Sequence, residues 1–157
     1  LTRLETKKSF VKRSTSYGLV SFNLKMKEMT YLSCKEIYHA MKELGFKQTD
    51  TRDYAYEFLL RNGQYIYVKR FIDTQKRTPE PSRLMIHPVF IALKDDLQKL
   101  ENTEFNFEEK GNMNSAFARF PKCSQSQCEE NPTEYGIGVN FKDKTALFNL
   151  LKFIEHK

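Results

Sequence analysis

The sequence predicts an α+β domain: a mostly antiparallel sheet of about five strands, with an N-terminal and a C-terminal helix packed on one face. Helical apolar spacing occurs near both ends of the chain. Between these segments, β-rich runs follow one another and are separated by turn residues rather than by helices. This order is typical of α+β folds. It leaves the opposite face of the sheet open to water or to a ligand.

The first helix is predicted at residues 34–44. Ser33 and Glu36 have the spacing of a capping box, and Gly45 is a natural left-handed terminator. Apolar residues recur at helical spacing between them. They are Ile37, Ala40, Met41 and Leu44.

A β-hairpin is predicted around the Asn-Gly pair at 62–63, because this dipeptide favours a tight turn between two β-rich runs. On the second run Tyr65, Tyr67 and Lys69 alternate with mostly aliphatic positions, so one face of the strand is aromatic. A hairpin alone is marginally stable, so further strands are expected to join it.

Three later segments are predicted as strands: "RLMIHPVF" (83–90), "AFARFPK" (116–122) and "YGIGVNF" (135–141). A proline inside a strand stops the ladder or places the strand on an edge. The first two therefore end at Pro88 and Pro121.

The remaining segments are a short strand within 17–26, a short helix that includes Ala92, Leu93, Leu97 and Leu100, and otherwise loop up to the fourth strand. The last segment is predicted as a helix capped by Asp143. Its buried stripe consists of Ala146, Leu147, Leu150, Leu151 and Ile154.

The composition, 39% hydrophobic over 157 residues, is that of a globular domain large enough to bury a core. No apolar run approaches the roughly 20 residues that cross a membrane, so no membrane partner is expected. Charges interrupt the N-terminus, which argues against a signal peptide. Three cysteines, an odd number, argue against a disulfide scaffold. A cytoplasmic, reducing location is predicted.

Positive charge is concentrated at the N-terminus. The net charge is +6, and residues 1–29 hold seven basic and two acidic side chains, which leaves 19 and 18 for residues 30–157. We interpret residues 1–28 as a basic, flexible extension. Residues 29–157 are predicted as a single α+β domain with an enlarged insertion around 91–115.

Several of these segments, taken in order, resemble the YgaC-like family of small enterobacterial cytoplasmic proteins. The segments are "YLSCKEIYHAMKELGF", "YIYVKR", "LMIHP", "RFPK", "EYGI" and "DKTALFNLLKFI". They cover about residues 30–155. The resemblance implies a compact cytoplasmic α+β domain and no particular reaction. Residues 1–28 and most of the insertion lie outside it.

The mixture of aromatic and basic residues on the second hairpin strand predicts a nucleic-acid surface, because rings stack bases while cations meet phosphates. The alternative is that a helix covers this face and both tyrosines lie in the core, since strands favour aromatic residues anyway. The candidate binding residues are Tyr65, Tyr67, Lys69, Arg70, Arg77 and Arg83 in the domain and Lys7, Lys8, Lys12 and Arg13 in the extension.

His87 has two interpretations. It is a general base or ligand, for which a nearby acid such as Glu134 would be needed, or a structural residue whose ring bonds a backbone carbonyl at the strand end. The structural interpretation is favoured, because buried or half-buried histidines commonly have such a role. No catalytic residue is therefore predicted.

No metal or cofactor is predicted. Cys123 and Cys128 are spaced C-x₄-C, but the second pair of ligands that a zinc site usually needs is missing from the sequence, and the histidines at 39, 87 and 156 are scattered. The two loop cysteines are expected to be free thiols. The chain also lacks a phosphate-binding loop and a nucleophile elbow.

The leading hypothesis is a non-catalytic module with weak, salt-dependent binding of nucleic acid. The alternative is a protein–protein or regulatory module that uses an open sheet face or edge. A small hydrolase that uses His87 is the third. The oligomeric state and the identity of the ligand are left open.

Overall fold

The structure is a computed structural model that describes residues 30–70, 80–123 and 131–157. It has helices near both ends of the chain and an antiparallel sheet between them. The basic extension 1–28 lies outside the described residues, as do the strand predicted within 17–26, Arg77 and Cys128.

The described residues form six strands and three α-helices in the following order. They are α1 (Cys34–Glu43), β1 (Lys47–Thr51), β2 (Ala55–Leu59), β3 (Tyr65–Lys69), β4 (Leu84–Ile86), a 3-10 helix (Pro88–Leu93), α2 (Lys94–Leu97), β5 (Thr103–Asn106), β6 (Ile137–Phe141) and α3 (Lys144–Glu155). The α+β class is therefore confirmed.

The strands form one sheet in the order β1-β2-β3-β4-β6-β5. Every pairing is antiparallel. Strand β6 lies between β4 and β5, so β1 and β5 are the edges of the described sheet. A bulge interrupts β1 between Gln48 and Asp50.

The local signals for α1 and for the hairpin are confirmed. The Ser33 Oγ atom accepts a 3.0 Å hydrogen bond from the Glu36 N–H, and the Glu36 carboxylate accepts one of 2.8 Å from the Ser33 N–H. Gly45 has a φ of +84°, as a helix terminator requires, and Gly63 has a φ of +90° in the turn between β2 and β3. The capping signals of α1 and the Asn-Gly turn each depend on only a few neighbouring residues, and both are present in the structure.

One face of the sheet carries both long helices. Buried residues of α1 and α3 share an apolar cluster with alternate strand residues such as Phe58, Val68 and Val139. Asp143 caps α3 by accepting a 2.8 Å hydrogen bond from the Ala146 N–H. The predicted buried stripe of this helix is confirmed, because all five of its residues lie in the core.

The opposite face is covered by a non-helical segment rather than left open. Ala116, Phe117 and Phe120 pack there against Tyr67 and Met85 and form a second apolar cluster.

The prediction of a strand at 116–122 is therefore wrong. Hydrogen bonds from the Phe117 N–H to the Asn114 carbonyl and from the Phe120 N–H to the Phe117 carbonyl, both 3.0 Å, form turns. They place both rings toward the sheet, and only an isolated bridge joins Lys122 to Glu134.

The sheet has six strands rather than five, because two edge strands lack the apolar alternation that predicts strands. Strand β1 reads "KQTDT" and has no buried residue. Strand β5 lies inside the 91–115 insertion, where loop was predicted. Edge strands are half solvated, so polar sequences form them without an apolar signal.

The predicted strand 83–90 is also shorter than expected and ends at Ile86. Pro88 starts the 3-10 helix, for which His87 is the N-cap. A proline is well suited to the first position of a helix, because that position needs no N–H donor. Among the described helices, none has the length and apolar character of a membrane span.

Candidate nucleic-acid interface

Tyr67, a predicted stacking residue, is fully buried. Its hydroxyl donates a 2.6 Å hydrogen bond to the Glu57 carboxylate and accepts one of 2.9 Å from the Arg119 N–H. The ring centroids of Phe117 and Phe120 lie 5.3 and 4.9 Å from that of Tyr67. Tyr67 therefore presents no ring face to a nucleic-acid base. Turns cover it, whereas the alternative interpretation expected a helix.

Tyr65, the second predicted stacking residue, is half-buried. The guanidinium carbon of Arg119 lies 4.6 Å from the centroid of its ring. A cation of the same chain therefore already contacts the ring, and such contacts contribute about 0.5–1 kcal/mol at exposed sites.

Glu57 is a buried carboxylate that the sequence analysis missed. It is 2% exposed, and besides Tyr67 it accepts a 2.7 Å hydrogen bond from the Thr49 hydroxyl. The Nε atom of Arg119 is 3.7 Å from its carboxylate. Burial, and then the hydrogen bond to Glu57, raise the pKa of Tyr67. The polar groups of Glu57 and Tyr67 are thus bonded to other groups of the same network, so its role is to hold the covering segment on the sheet.

Three of the predicted cations do come together, at the end of the sheet where β3 finishes and β4 begins. The Lys69 N–H donates to the Arg83 carbonyl at 2.9 Å, and Arg70 follows directly. Arg52 joins them, because its carbonyl accepts a 3.0 Å hydrogen bond from Arg70 Nη1. We call Arg52, Lys69, Arg70 and Arg83 the basic end of the sheet.

Two tyrosines at this end were not among the predicted site residues. The Tyr54 carbonyl accepts a 3.1 Å hydrogen bond from the Arg70 N–H, and the Tyr54 side chain is 54% exposed. The guanidinium carbon of Arg70 lies 5.3 Å from the centroid of the Tyr56 ring. The sequence signal was present, since tyrosines alternate at 54 and 56 next to Arg52, but it was assigned to the hairpin alone.

Acidic side chains partly neutralise the basic end. Arg52 pairs with Asp50 at 3.3 Å and Arg83 with Glu80 at 3.1 Å. With Asp53 in the same turn as Arg52, three acids stand against the four cations of this end. The described part of the domain therefore supplies only a small positive excess here.

Leu32, at the start of the folded domain, lies at this same end of the sheet. The Leu32 N–H donates a 2.8 Å hydrogen bond to the carbonyl of Phe141, the last residue of β6. The Arg83 N–H donates to the Val139 carbonyl of the same strand at 3.3 Å. Burial raises the pKa of the Cys34 thiol at the start of α1, and the charges of Arg83 and Lys69 oppose that rise. The backbones of Leu32 and Arg83 are thus both hydrogen-bonded to β6 at the same end of the sheet.

A cleft of about 320 Å³ lies at the tip of β1 and β2. Its lining comes from the turn between these strands and from the segment that precedes Phe117. The lining residues are Asp50, Thr51, Arg52, Asp53, Tyr54, Asn114, Ser115 and Ala116. The cleft therefore shares Arg52 and Tyr54 with the basic end.

His87 has a structural position. Its Nδ1 atom accepts a 2.9 Å hydrogen bond from the Val89 N–H, and its ring meets the edge of Phe120 at 5.3 Å. Burial lowers the pKa of the imidazole. Within the described residues no carboxylate lies within 4 Å of its nitrogens. The expected bond to a carbonyl was wrong, because the ring is an acceptor.

The cysteines differ from the prediction. Cys34 is a free, buried thiol, whereas Cys123 is disulfide-bonded. The expectation of a free thiol at 123 was wrong, because the odd count is explained by Cys34 alone. In the described ranges no three His, Cys, Asp or Glu side chains are grouped as a metal site would need.

Comparison with known proteins yields no match, either to a family model or to a curated sequence. The resemblance to the YgaC-like family therefore stays a prediction.

Proposed function

We propose that this protein is a non-catalytic module that binds single-stranded nucleic acid weakly and in a salt-dependent way. The observation that carries the proposal is the meeting of three features at one end of the sheet. These are the cations of the basic end, the half-exposed side chain of Tyr54, and Leu32, which the basic segment precedes in the sequence.

The extension carries more net positive charge than the basic end of the domain, so the two parts would contribute differently to binding. The described residues at the basic end carry four cations against three acids, whereas residues 1–29 carry seven bases and two acids. Phosphate contacts should therefore come mostly from the extension, with Lys7, Lys8, Lys12 and Arg13 as its predicted contacts. Arg70 and Tyr54 would then orient the strand on the domain.

The expected affinity is weak. Non-specific binding driven by phosphate contacts has dissociation constants of about 10⁻⁴–10⁻⁶ M at physiological salt. One stacked base adds about 1–3 kcal/mol. The proposed stacking residue is Tyr54 in place of Tyr67, because the Tyr54 side chain is 54% exposed whereas Tyr67 is buried.

Fluorescence anisotropy tests the proposal with a labelled single-stranded oligonucleotide of about ten nucleotides. The protein is titrated at salt concentrations from about 50 to 200 mM, where the affinity should fall steeply. A chain that begins at residue 29 should lose most of the binding. Unchanged binding after this truncation would refute the role of the extension.

A matched variant separates charge from length. Replacing the extension's four predicted contacts, Lys7, Lys8, Lys12 and Arg13, by Gln in the full chain should weaken binding almost as much as truncation does. Equal binding by this variant and the unmodified chain would show that the extension acts through something other than its charge.

A protein–protein module is the second candidate, and one feature of β5 favours it. This strand is an edge of the described sheet, and Phe105 on it stacks with Phe107 at a centroid distance of 5.5 Å. An added strand from a partner would extend the sheet there. Such binding would be insensitive to salt and would survive removal of residues 1–28, which distinguishes it from the first candidate.

The proposed location is the cytoplasm. Its support is the resemblance to a cytoplasmic family, whereas the disulfide at Cys123 is unusual for a reducing compartment.

A further inference from the structure

The cleft at the tip of β1 and β2 combines an aromatic ring with groups of opposite charge. Arg52, Asp53 and Tyr54 are consecutive, and all three line it. Asn114 and Ser115 line it from the covering segment. Its volume of about 320 Å³ lies at the lower end of the range of about 300–1,000 Å³ that is usual for small-ligand sites. A single flat ring system suits such a space better than a large ligand does.

The two carboxylates in the cleft are not equivalent. One oxygen of Asp50 accepts a 2.8 Å hydrogen bond from the Thr51 N–H, and the other faces Arg52 Nη1 at 3.3 Å. Asp53 forms no hydrogen bond or ion pair within the described residues, and it is exposed. The cleft therefore offers an uncommitted pair of acceptor oxygens at Asp53, next to the donors of Arg52.

This combination selects among nucleic-acid bases. Guanine carries two adjacent N–H donors, at N1 and N2, which match the two oxygens of a carboxylate. It also carries the O6 and N7 acceptors that arginine engages. Cytosine offers a carboxylate one donor group, at N4. Thymine and uracil have a single N–H donor, which stands between two carbonyl acceptors that would repel a carboxylate.

We propose that this cleft is a binding site for a guanine base of a single-stranded nucleic acid. Tyr54 is the stacking platform, Asp53 accepts from N1 and N2, and Arg52 donates to the acceptor edge. The inference rests on the proposed function, to which it adds a base preference. Stacking alone is tolerant of sequence, so the preference would come from Asp53.

The test is a set of labelled oligothymidylates of about ten nucleotides that differ only at one central position. The position carries guanine, adenine, cytosine or thymine, and anisotropy is measured with the full chain at low salt. We expect the guanine oligonucleotide to bind at least about fivefold more tightly than the all-thymine one, the lower end of what a bidentate contact to a base provides.

Asp53→Asn should remove most of this difference, because the amide keeps one acceptor oxygen and adds a donor. Asp95→Asn is the matched control. It makes the same change of charge at an exposed position of α2, which does not line the cleft. It should retain the guanine preference and report how the added charge alone changes binding.

The outcomes separate the base site from the proposed function. If all four oligonucleotides bind equally, or if cytosine is preferred, the guanine site is wrong while the nucleic-acid module stands. A guanine preference that survives Asp53→Asn shows that the base lies elsewhere. If none of the oligonucleotides binds at any salt concentration, both proposals are wrong.

Discussion

The hydroxyl of Tyr67 lies 2.6 Å from the carboxylate of Glu57, and both side chains are buried between the sheet and the segment that contains Arg119. The same hydroxyl accepts the Arg119 N–H at 2.9 Å. One phenol oxygen thus joins a strand, a buried charge and the covering segment. This arrangement attaches the covering segment to a sheet face that carries no helix.

Tyr67→Phe should destabilise the protein by about 1–3 kcal/mol, because it removes a hydrogen bond from the buried Glu57 carboxylate and leaves the Arg119 N–H without its acceptor. The free energy of unfolding, measured with urea, reports the change. Tyr65→Phe is the control, since the Tyr65 hydroxyl has no hydrogen-bond partner within the described residues, and it should change the free energy by less than about 0.5 kcal/mol. Equal effects of the two substitutions would contradict the role assigned to Tyr67.

Gly138→Ala should be more disruptive. A Cβ atom at this position would lie 2.6 Å from Ser82 Cβ and 2.8 Å from Asn112 Oδ1, and it would also overlap Ser82 Oγ. Strand β6 is paired on both sides, so the backbone has little room to move. We expect a loss of about 1–3 kcal/mol or more, measured by thermal unfolding.

Ser82→Gly in the Gly138→Ala background provides the check on this explanation. It removes the nearest obstructing atoms, so part of the lost stability should return. A double variant no more stable than Gly138→Ala would show that the cost has another origin.

His87 should make stability fall at acidic pH. Burial lowers its pKa in the folded state, so the unfolded chain binds more protons as the pH falls below about 6.5. Its contribution is therefore constant at higher pH and unfavourable at lower pH. Protonation of Nδ1 would also remove the acceptor of the Val89 N–H.

His87→Asn should reduce the fall in melting temperature between about pH 7.5 and 5.5, because Asn retains a capping oxygen but does not titrate. His156→Asn, at an exposed position, should leave the fall unchanged. If the His87 variant instead lost an enzymatic activity without any change in stability, the hydrolase hypothesis would gain the support that it lacks.

Arg70→Gln should weaken nucleic-acid binding about equally for all sequences and reduce the slope of log affinity against log salt by about one. Arg70 lies at the basic end, where it bonds the Arg52 carbonyl and contacts Tyr56. Lys47→Gln removes one positive charge at the opposite end of the sheet, where Lys47 faces Leu59. It should leave the slope unchanged, and an equal effect of both variants would argue against a defined surface.

Cys123 should resist alkylation in denaturant until a reductant is added, because it is disulfide-bonded. Cys34, a buried free thiol, should be labelled as soon as the protein unfolds. To measure both extents of labelling, the protein is quenched with an alkylating agent in intact cells. Mass spectrometry of its peptides then shows how much of Cys123 and of Cys34 is alkylated. Immediate labelling of Cys123 would show that the bond does not form in the cell, as a cytoplasmic location favours.

Features whose signals lie within a few residues could be predicted from the sequence. The capping box of Ser33 and Glu36, the Asn-Gly turn and the apolar stripe of α3 are each encoded locally, and each is present. The edge strands β1 and β5 were missed for the opposite reason. Their residues become strands only because a neighbour in the sheet supplies hydrogen bonds.

The candidate site divides in the same way. Lys69, Arg70 and Arg83 were predicted together, and antiparallel pairing of β3 with β4 does bring them to one end. The choice between tyrosines was not accessible from the sequence. Tyr67 and Tyr54 both stand in β-rich runs, yet one is buried and the other is 54% exposed.

The amino-acid sequence by itself determined the helices near the two ends, the hairpin, and the concentration of positive charge before residue 30, since capping, turn and composition signals are short-range. Only the tertiary structure decided that the second face of the sheet is covered as well, and therefore which tyrosine side chain is exposed and which is buried. The physical reason is that Phe117, Phe120 and Arg119 reach Tyr67 across about fifty positions of the chain. Burial depends on such distant contacts, which no local pattern contains.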